Sequence, residues 1–297
     1  MITNGLSMSP AIEAPVKLEL PWVKLFWFGA LIVVCYLPIL QRLVAQWSSD
    51  EDMSHGFFVP VIAGFIVWQR REELAATQAR PSLWGLLLVG WGCIQLLLGY
   101  LGTELFTART AFVITLIGAV WTLGGTPFLK KLAFPLCLLF LMVPIPAVIY
   151  SQITFPLQII ASQFAAAALD VFGIPVLREG NILDVSGHLL SVVEACSGIR
   201  SLLTLTFLSL VYGYFFERRM WVRVALFVSV IPVAIFVNGS RITITGILTT
   251  VKPELAEGFF HEATGLFLFF AAFVVLILLH QLFSRIAKFY ESRRAAV

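Results

Sequence analysis

The stretch TGLFLFFAAFVVLILLHQLF, residues 264–283, runs for its whole length without an Asp, Glu, Lys or Arg. About 20 such residues in a helix match the ~30 Å hydrocarbon core of a bilayer. The whole chain has the same character, because 59% of its 297 residues are hydrophobic, 12% are charged and its mean hydropathy is +0.93. These values predict an integral membrane protein rather than a soluble domain.

Apolar runs of similar length recur along the chain. We predict an all-α integral membrane protein, a polytopic bundle of about eight transmembrane helices, with spans at 24–45, 56–69, 83–101, 110–126, 132–150, 199–215, 222–238 and 264–283. The second run is short for a span, so it would tilt little or thin the bilayer locally.

One further segment, 153–172, is apolar enough to cross the bilayer, but a crossing there would invert every later loop and send the basic ones outward. We therefore predict that it lies along the outer interface. The segment that follows, 173–195, has Gly and Asn turn signals between short β-branched runs. This pattern predicts a small extracytoplasmic hairpin packed over the membrane face.

Lysine and arginine are concentrated in four segments, at 69–80, 130–131, 217–223 and 284–294. The positive-inside rule places all four in the cytoplasm, together with both chain termini. The predicted organisation is a cytoplasmic N-terminal tail (1–23), a transmembrane domain (24–285) and a cytoplasmic basic tail (286–297). No small-residue cleavage site follows the first apolar run, which predicts a retained helix rather than a signal peptide.

Cys196, in the stretch VVEACSGIRS (192–201), immediately precedes a predicted helix. The positive end of a helix dipole and the nearby Arg200 both favour a thiolate, which is a nucleophile. A thiol that only packs at a helix start is an equally good interpretation of this residue alone. The other cysteines lie in apolar runs without CxxC spacing, which argues against a disulfide framework: Cys35, Cys93 and Cys137.

Two more groups fall at span edges on the side opposite the basic loops. Arg241, in NGSRIT, either reaches lipid headgroups or binds a carboxylate or a developing oxyanion. His261, in FFHEATG, is either interfacial or a proton carrier. The zinc motif H-E-x-x-H is incomplete because residue 265 is Gly, so we predict neither a metal site nor a cofactor. His280, near the inner end of the last span, is predicted to be structural.

The charge pattern places Cys196, Arg241 and His261 on the same membrane face. Covalent acyl transfer through a thiolate requires a nucleophile, a group that moves a proton and a donor for the tetrahedral oxyanion. The three residues would supply these roles if the fold brings them together.

The motifs VVEACSGIRSL, NGSRI and FHEATG, in this order, resemble those of the exosortase/archaeosortase family of membrane-embedded cysteine transpeptidases. DEDMSHGFFVPVIAGFIVWQRREEL and REGNIL also match that family's pattern, and the resemblance covers about residues 25 to 285. It implies that Cys196 is the nucleophile, Arg241 the family's conserved arginine and His261 the catalytic histidine. The residues expected to bind substrate or support the site are Glu194, Ser197, Arg200, Asn238, Glu179 and His55.

The resemblance also implies the substrate class and the location. Exosortases act on exported proteins that end in a short Pro-Glu-Pro-type motif, a transmembrane helix and a basic tail. We therefore expect a multi-pass protein of the cell inner membrane whose active site faces the periplasm. Membrane lipid is an expected partner, whereas nucleic acid is not, because no polybasic tail with interleaved aromatic residues is present.

Two other functions fit parts of the sequence. Gly and Pro within the apolar runs, as in LMVPIPAV (141–148), would suit a transporter or channel, but ionisable residues are nearly absent from the middle of the spans. Ser240 would suit an intramembrane serine protease, but it lies outside a G-x-S-x-G context.

Overall fold

A computed structural model describes residues 22–192, 198–252, 254 and 258–295. The predicted tail 1–23 lies outside this part of the chain except for its last two residues. The elements, in chain order, are α1 (Trp22–Ser49), a 3-10 helix (Glu51–Phe57), α2 (Phe58–Gln69), α3 (Arg71–Ala75), α4 (Leu83–Leu101), α5 (Leu105–Leu138), a second 3-10 helix (Leu139–Met142), α6 (Ala147–Val171), β1 (Val176–Glu179), β2 (Ile182–Val185), β3 (His188–Ser191), α7 (Gly198–Phe216), α8 (Met220–Val251) and α9 (Gly258–Ala295).

The all-α polytopic architecture is confirmed, but the number of eight spanning helices is wrong. Within the described residues, six helices are long and apolar enough to cross a membrane: Trp27–Ser49, Leu83–Leu101, Leu105–Met142, Ala147–Val171, Met220–Val251 and Gly258–Arg294. The predicted span 56–69 becomes α2, which has only 12 residues, and 199–215 falls in the short apolar helix Arg200–Phe216. The predicted span 110–126 and the first part of 132–150 belong to one helical run, which ends at Met142, whereas residues 147–150 begin α6.

That run is interrupted at Gly125, whose φ of 73° and ψ of −170° are not helical. An added Cβ at this position would collide with the Arg80 carbonyl oxygen, so that glycine is required both for the backbone angle and for the close approach. On the far side of the break, Lys131 contacts Glu73 (3.0 Å) and Thr77 (2.8 Å). The sequence pattern could not show that the two segments belong to one helical run, because both segments are apolar.

The described contacts define two ends of the bundle. At the basic end, Lys131 meets α3, Arg70 and Arg223 lie over the Tyr214 ring, and Arg219 pairs with Glu291 at 2.7 Å. All four basic segments of the sequence therefore meet there. At the other end, which we call the sheet end, the Trp47 indole donates to the Met142 carbonyl at 2.9 Å and Tyr150 donates to Asp52 at 2.6 Å. The basic segments are therefore grouped at one end, and the side of the membrane that this end faces stays a prediction.

Helix α6 qualifies as a span by length and composition. However, residues in both halves of α6 contact other elements at the sheet end. Tyr150 donates to Asp52, Ser162 donates to the Gly180 carbonyl at 3.0 Å, and the Phe164 ring fills the space over Gly239 of α8. These contacts support the prediction that 153–172 lies along the outer interface, which remains a prediction.

The hairpin expected after α6 is a three-stranded antiparallel sheet in the order β1-β2-β3. Val176 pairs with Val185, and Val185 in turn pairs with His188. Turns at Gly180 and Gly187, both with positive φ, connect the strands. The inward face of the sheet packs on α6 and α8 in a cluster of fully buried residues: Ala161, Ala165, Leu169, Leu183, Val185, Val192 and Ile242.

Helices α4 and α5 approach each other closely because three glycines of α4 face α5. Gly85, Gly92 and Gly99 are buried at seven-residue intervals, and a Cβ at each would overlap Thr122, Thr115 or Ala108 of α5. Small residues let helix backbones approach in lipid, where apolar burial gives no driving force between helices.

Candidate active site

The proposed nucleophile and two of its neighbours, Cys196, Glu194 and Ser197, lie outside the described residues. Both flanks of their segment are described. On the N-terminal side, Val192 is fully buried in the cluster that contains Ile242, the residue after Arg241. On the C-terminal side, α7 begins at Gly198 and carries Arg200 in its first turn.

Arg200 is held by the acidic segment that precedes α2. Its guanidinium contacts the Glu51 carboxylate and donates from Nε to Asp52 Oδ1 at 3.3 Å. The second oxygen of Asp52 accepts a 2.6 Å hydrogen bond from the Tyr150 hydroxyl. Asp52 therefore ties the start of α7 to the start of α6. We call Asp52, Tyr150 and Arg200 the Asp52 clamp.

Sequence reasoning named Arg200 but missed its partners. Tyr150 lies about 50 residues upstream of Arg200 and Asp52 almost 150, so no local spacing connects them. The available signal was charge, because Asp50, Glu51 and Asp52 form an acidic cluster on the same predicted face as Arg200. Asp50 has a local role in this cluster, since its side chain accepts from the backbone N–H of Asp52 at 3.0 Å and caps the 3-10 helix.

Arg241 lies on α8 and reaches across to α9. A Cβ built on Gly265 would lie 3.2 Å from its guanidinium carbon, so the planar group packs against the α9 backbone where a side chain is missing. Asn238, one turn earlier on α8, is buried. The structure thus brings Arg241 into contact with α9 through Gly265, a residue that sequence reasoning did not assign to the site.

His261 belongs to the first turn of α9, and its side chain is not among those described. It precedes Gly265 by four residues, and residues at i and i+4 lie on the same face of a helix, one turn apart. The backbone position of His261 is therefore one turn from the residue that the Arg241 guanidinium covers.

His55 lies in the first 3-10 helix, three residues after Asp52, and is buried. Its Nε2 is 3.1 Å from the Leu141 carbonyl oxygen. Burial lowers the pKa of His55 and outweighs the backbone hydrogen bonds with Leu141 and Asp52 that raise it. A neutral imidazole at pH 7 donates one hydrogen bond, which suits a residue that orders the 3-10 segment beneath the Asp52 clamp.

Other candidates are separated from this group. Glu179 is exposed at the end of β1. His280 lies at the basic end, where it contacts Tyr212, Glu217 and Ser284, in agreement with a structural role. Cys35, Cys93 and Cys137 are exposed on the surfaces of α1, α4 and α5. In the described part of the chain, no three His, Cys, Asp or Glu side chains are grouped closely enough to bind a metal ion.

The sheet end therefore presents a guanidinium against α9 and the anchored flanks of a cysteine segment at the start of α7. A guanidinium offers a planar fork of donors that binds a carboxylate or an oxyanion. A family model described as transmembrane exosortase matches residues 47–278, which is more than three quarters of the chain. No curated protein and no solved structure matched the chain.

Proposed function

The chain belongs to the transmembrane exosortase family, and on this basis we propose that it is a membrane cysteine endopeptidase or transpeptidase with Cys196 as nucleophile. Its substrates are exported proteins that carry a C-terminal Pro-Glu-Pro-type motif, a transmembrane helix and a basic tail. Cleavage takes place at the outer face of the inner membrane, next to the sheet end. Arg241 and His261 complete the catalytic group.

The proposed reaction has two steps. The Cys196 thiolate attacks the scissile carbonyl carbon, a C–S bond forms, and the carbonyl electron pair moves to oxygen, where the Arg241 guanidinium stabilises the negative charge. The intermediate collapses, the C–N bond breaks, and protonated His261 donates a proton to the leaving amine. Water or an acceptor amine then attacks the thioester, His261 takes its proton, and Cys196 leaves as the thiolate.

The observation that carries this proposal is the contact between Arg241 and Gly265. It holds the guanidinium against α9 one helical turn from His261. An arginine that only reached lipid headgroups would extend away from neighbouring helices rather than pack in a slot where a side chain is missing.

The flanks of the cysteine segment support the same arrangement. Residue 196 is four residues from Val192 and four from Arg200, and four residues of chain reach at most about 14 Å. Val192 packs with the residue next to Arg241, and Arg200 is fixed by the Asp52 clamp. The thiol also precedes a helix that begins at Gly198, whose positive dipole end favours a thiolate.

The supporting residues have distinct proposed roles. Arg200 and His55 fix the elements around the nucleophile segment, and Asn238 lies beside Arg241 on α8. Glu194 and Ser197 flank the thiol in sequence. Glu179, exposed on the sheet, contributes to substrate contact rather than to chemistry.

The test is processing of a tagged substrate in cells that carry each variant at equal protein level. We expect Cys196→Ala to abolish cleavage, so that full-length membrane-held substrate accumulates, because removing a covalent nucleophile removes the reaction pathway. Cys196→Ser would be nearly as inactive because a hydroxyl has a far higher pKa than a thiol. Cys137→Ala, on the exposed surface of α5, is the matched control and should process normally. Normal processing by Cys196→Ala would eliminate the covalent mechanism.

A further inference from the structure

A cavity of about 480 Å³ opens at the basic end, between the loop that joins α7 to α8 and the last turns of α9. Residues 216–219 line one side, and His280, Ser284 and Lys288 line the other. The three residues from α9 recur at intervals of four, so they form one face of that helix. The cavity is far from the sheet end, and the proposed peptide chemistry does not use it.

The floor of the cavity is a satisfied polar network centred on Glu217. Its carboxylate accepts from the backbone N–H groups of Arg218 (2.8 Å) and Arg219 (2.9 Å) and from the Ser284 hydroxyl (2.8 Å). Partial burial would raise the pKa of Glu217, but these hydrogen bonds outweigh it and lower the pKa to about 2. The floor therefore has a fixed charge and does not need a ligand to be stable.

The rim carries cations that the network does not use. Arg219 is neutralised by a bidentate pair with Glu291, at 2.7 and 2.8 Å. Within the described part of the chain, neither the Arg218 guanidinium nor the Lys288 ammonium makes a hydrogen bond or ion pair, and both are exposed. With Arg223, whose Nε donates to the Glu217 carbonyl at 2.7 Å, four cations face two carboxylates and the group keeps an excess of positive charge.

Exposed aromatic residues surround the cavity at the same level of the bundle. Trp221 lies at the start of α8, Phe289 and Tyr290 lie beside Lys288, and Phe216 is itself part of the lining. Trp and Tyr concentrate where apolar helix surface meets lipid headgroups. Such aromatic residues are expected at headgroup depth, so we expect the cavity to open there, beside the exposed apolar surface of α9.

We propose that this cavity binds the phosphate of an anionic phospholipid. The negative charge of a phosphodiester would offset part of the excess positive charge of the group, and Arg218 and Lys288 supply the donors. The acyl chains would lie along the exposed apolar surface of α9 on the same side as the cavity, which includes Phe270 and Val274. Basic pockets between helices on the cytoplasmic side of membrane proteins bind lipid headgroups in this way.

The experiment measures lipid binding to the full-length protein by native mass spectrometry, with phosphatidylglycerol and phosphatidylcholine titrated separately. The test variant is Arg218→Gln with Lys288→Gln. The control, Arg71→Gln with Lys130→Gln, removes the same charge from exposed positions elsewhere at the basic end. We expect phosphatidylglycerol to bind about fivefold more weakly for each cavity cation removed, or roughly 30-fold for both, with little change in the control.

Equal loss of phosphatidylglycerol in the two double variants would refute the site, as would equal affinity of the wild-type protein for both lipids. A separate arm adds inorganic phosphate to the lipid-bound protein. Retention of the lipid supports the proposal, whereas its displacement would assign the cavity to a soluble phosphate and overturn the lipid. None of these outcomes depends on whether Cys196 is catalytic.

Discussion

The contact between Arg241 and Gly265 predicts that side-chain volume at position 265 controls the proposed activity. A Cβ there would lie 3.2 Å from the guanidinium carbon, 3.3 Å from Nη2 and 3.4 Å from Nε, all at or inside ordinary van der Waals contact. In Gly265→Ala the guanidinium has to retreat by only a few tenths of an ångström. In Gly265→Val the two added methyl groups would push it by more than about 1 Å.

A displacement of about 1 Å at a catalytic group costs on the order of 100-fold in rate, which corresponds to about 2.7 kcal/mol of transition-state stabilisation. We therefore expect a small loss of processing for Gly265→Ala and a loss of about 100-fold for Gly265→Val. Stability should change little, because the guanidinium is flexible enough to move without disturbing the backbone of α8.

The assay is the rate of substrate cleavage at matched protein level, with the thermal midpoint in detergent measured in parallel. Gly64→Val is the matched control, since a Cβ on this residue of α2 meets nothing within 4 Å. Wild-type cleavage by Gly265→Val would show that the position of Arg241 does not limit the reaction. A fall in thermal midpoint that matched the fall in rate would attribute the effect to folding instead.

Three further results are expected. Asp52→Asn should lower processing about tenfold with only a modest loss of stability, because the Arg200 side chain is 41% exposed, which screens the pair, and screened pairs contribute about 1 kcal/mol or less. Unchanged processing would remove the Asp52 clamp from the mechanism. Gly92→Leu should lower the thermal midpoint, since overpacking between helices costs about 1–3 kcal/mol, whereas Gly90→Leu, where a Cβ meets nothing within 4 Å, should not. The pKa of Glu217 falls from a usual 4.5 to about 2 on folding, so its contribution to stability is full above pH 4.5 and is lost as the pH falls towards 2. Glu217→Gln should therefore have a lower thermal midpoint than the wild-type protein at neutral pH. Its midpoint should also change less than that of the wild-type protein between pH 4.5 and pH 2.

The membrane class, the grouping of the basic loops and the small sheet could all be predicted from the sequence. Each depends on local composition, which periodicity and charge reveal directly. The number of spans could not be predicted in the same way. Helix α2 is half membrane length, and the break at Gly125 depends on contact with the Arg80 carbonyl, which no local pattern encodes. Composition also gives no sign of whether α6 crosses the bilayer.

The candidate site was predictable only as a set of residue types on one membrane face. Motif order identified Arg241, but its position depends on Gly265, and a missing side chain has no chemical signature of its own. Arg200 was recognised for its charge, whereas Asp52 and Tyr150 were not, because the chain brings them together from distant segments.

The glycine face of α4 has a consequence for how this protein is made. Only three residues separate α4 from α5, and their contact needs no partner that is synthesised later. Tyr36 of α1 adds a 2.7 Å hydrogen bond to Thr115 within the same N-terminal part. This part can therefore assemble in the bilayer while α7, α8 and α9 are still being translated. A bulky residue at Gly85, Gly92 or Gly99 would disturb the packing of α4 on α5 during membrane insertion, before the proposed catalytic residues have been translated. It would therefore reduce the yield of protein rather than its turnover rate.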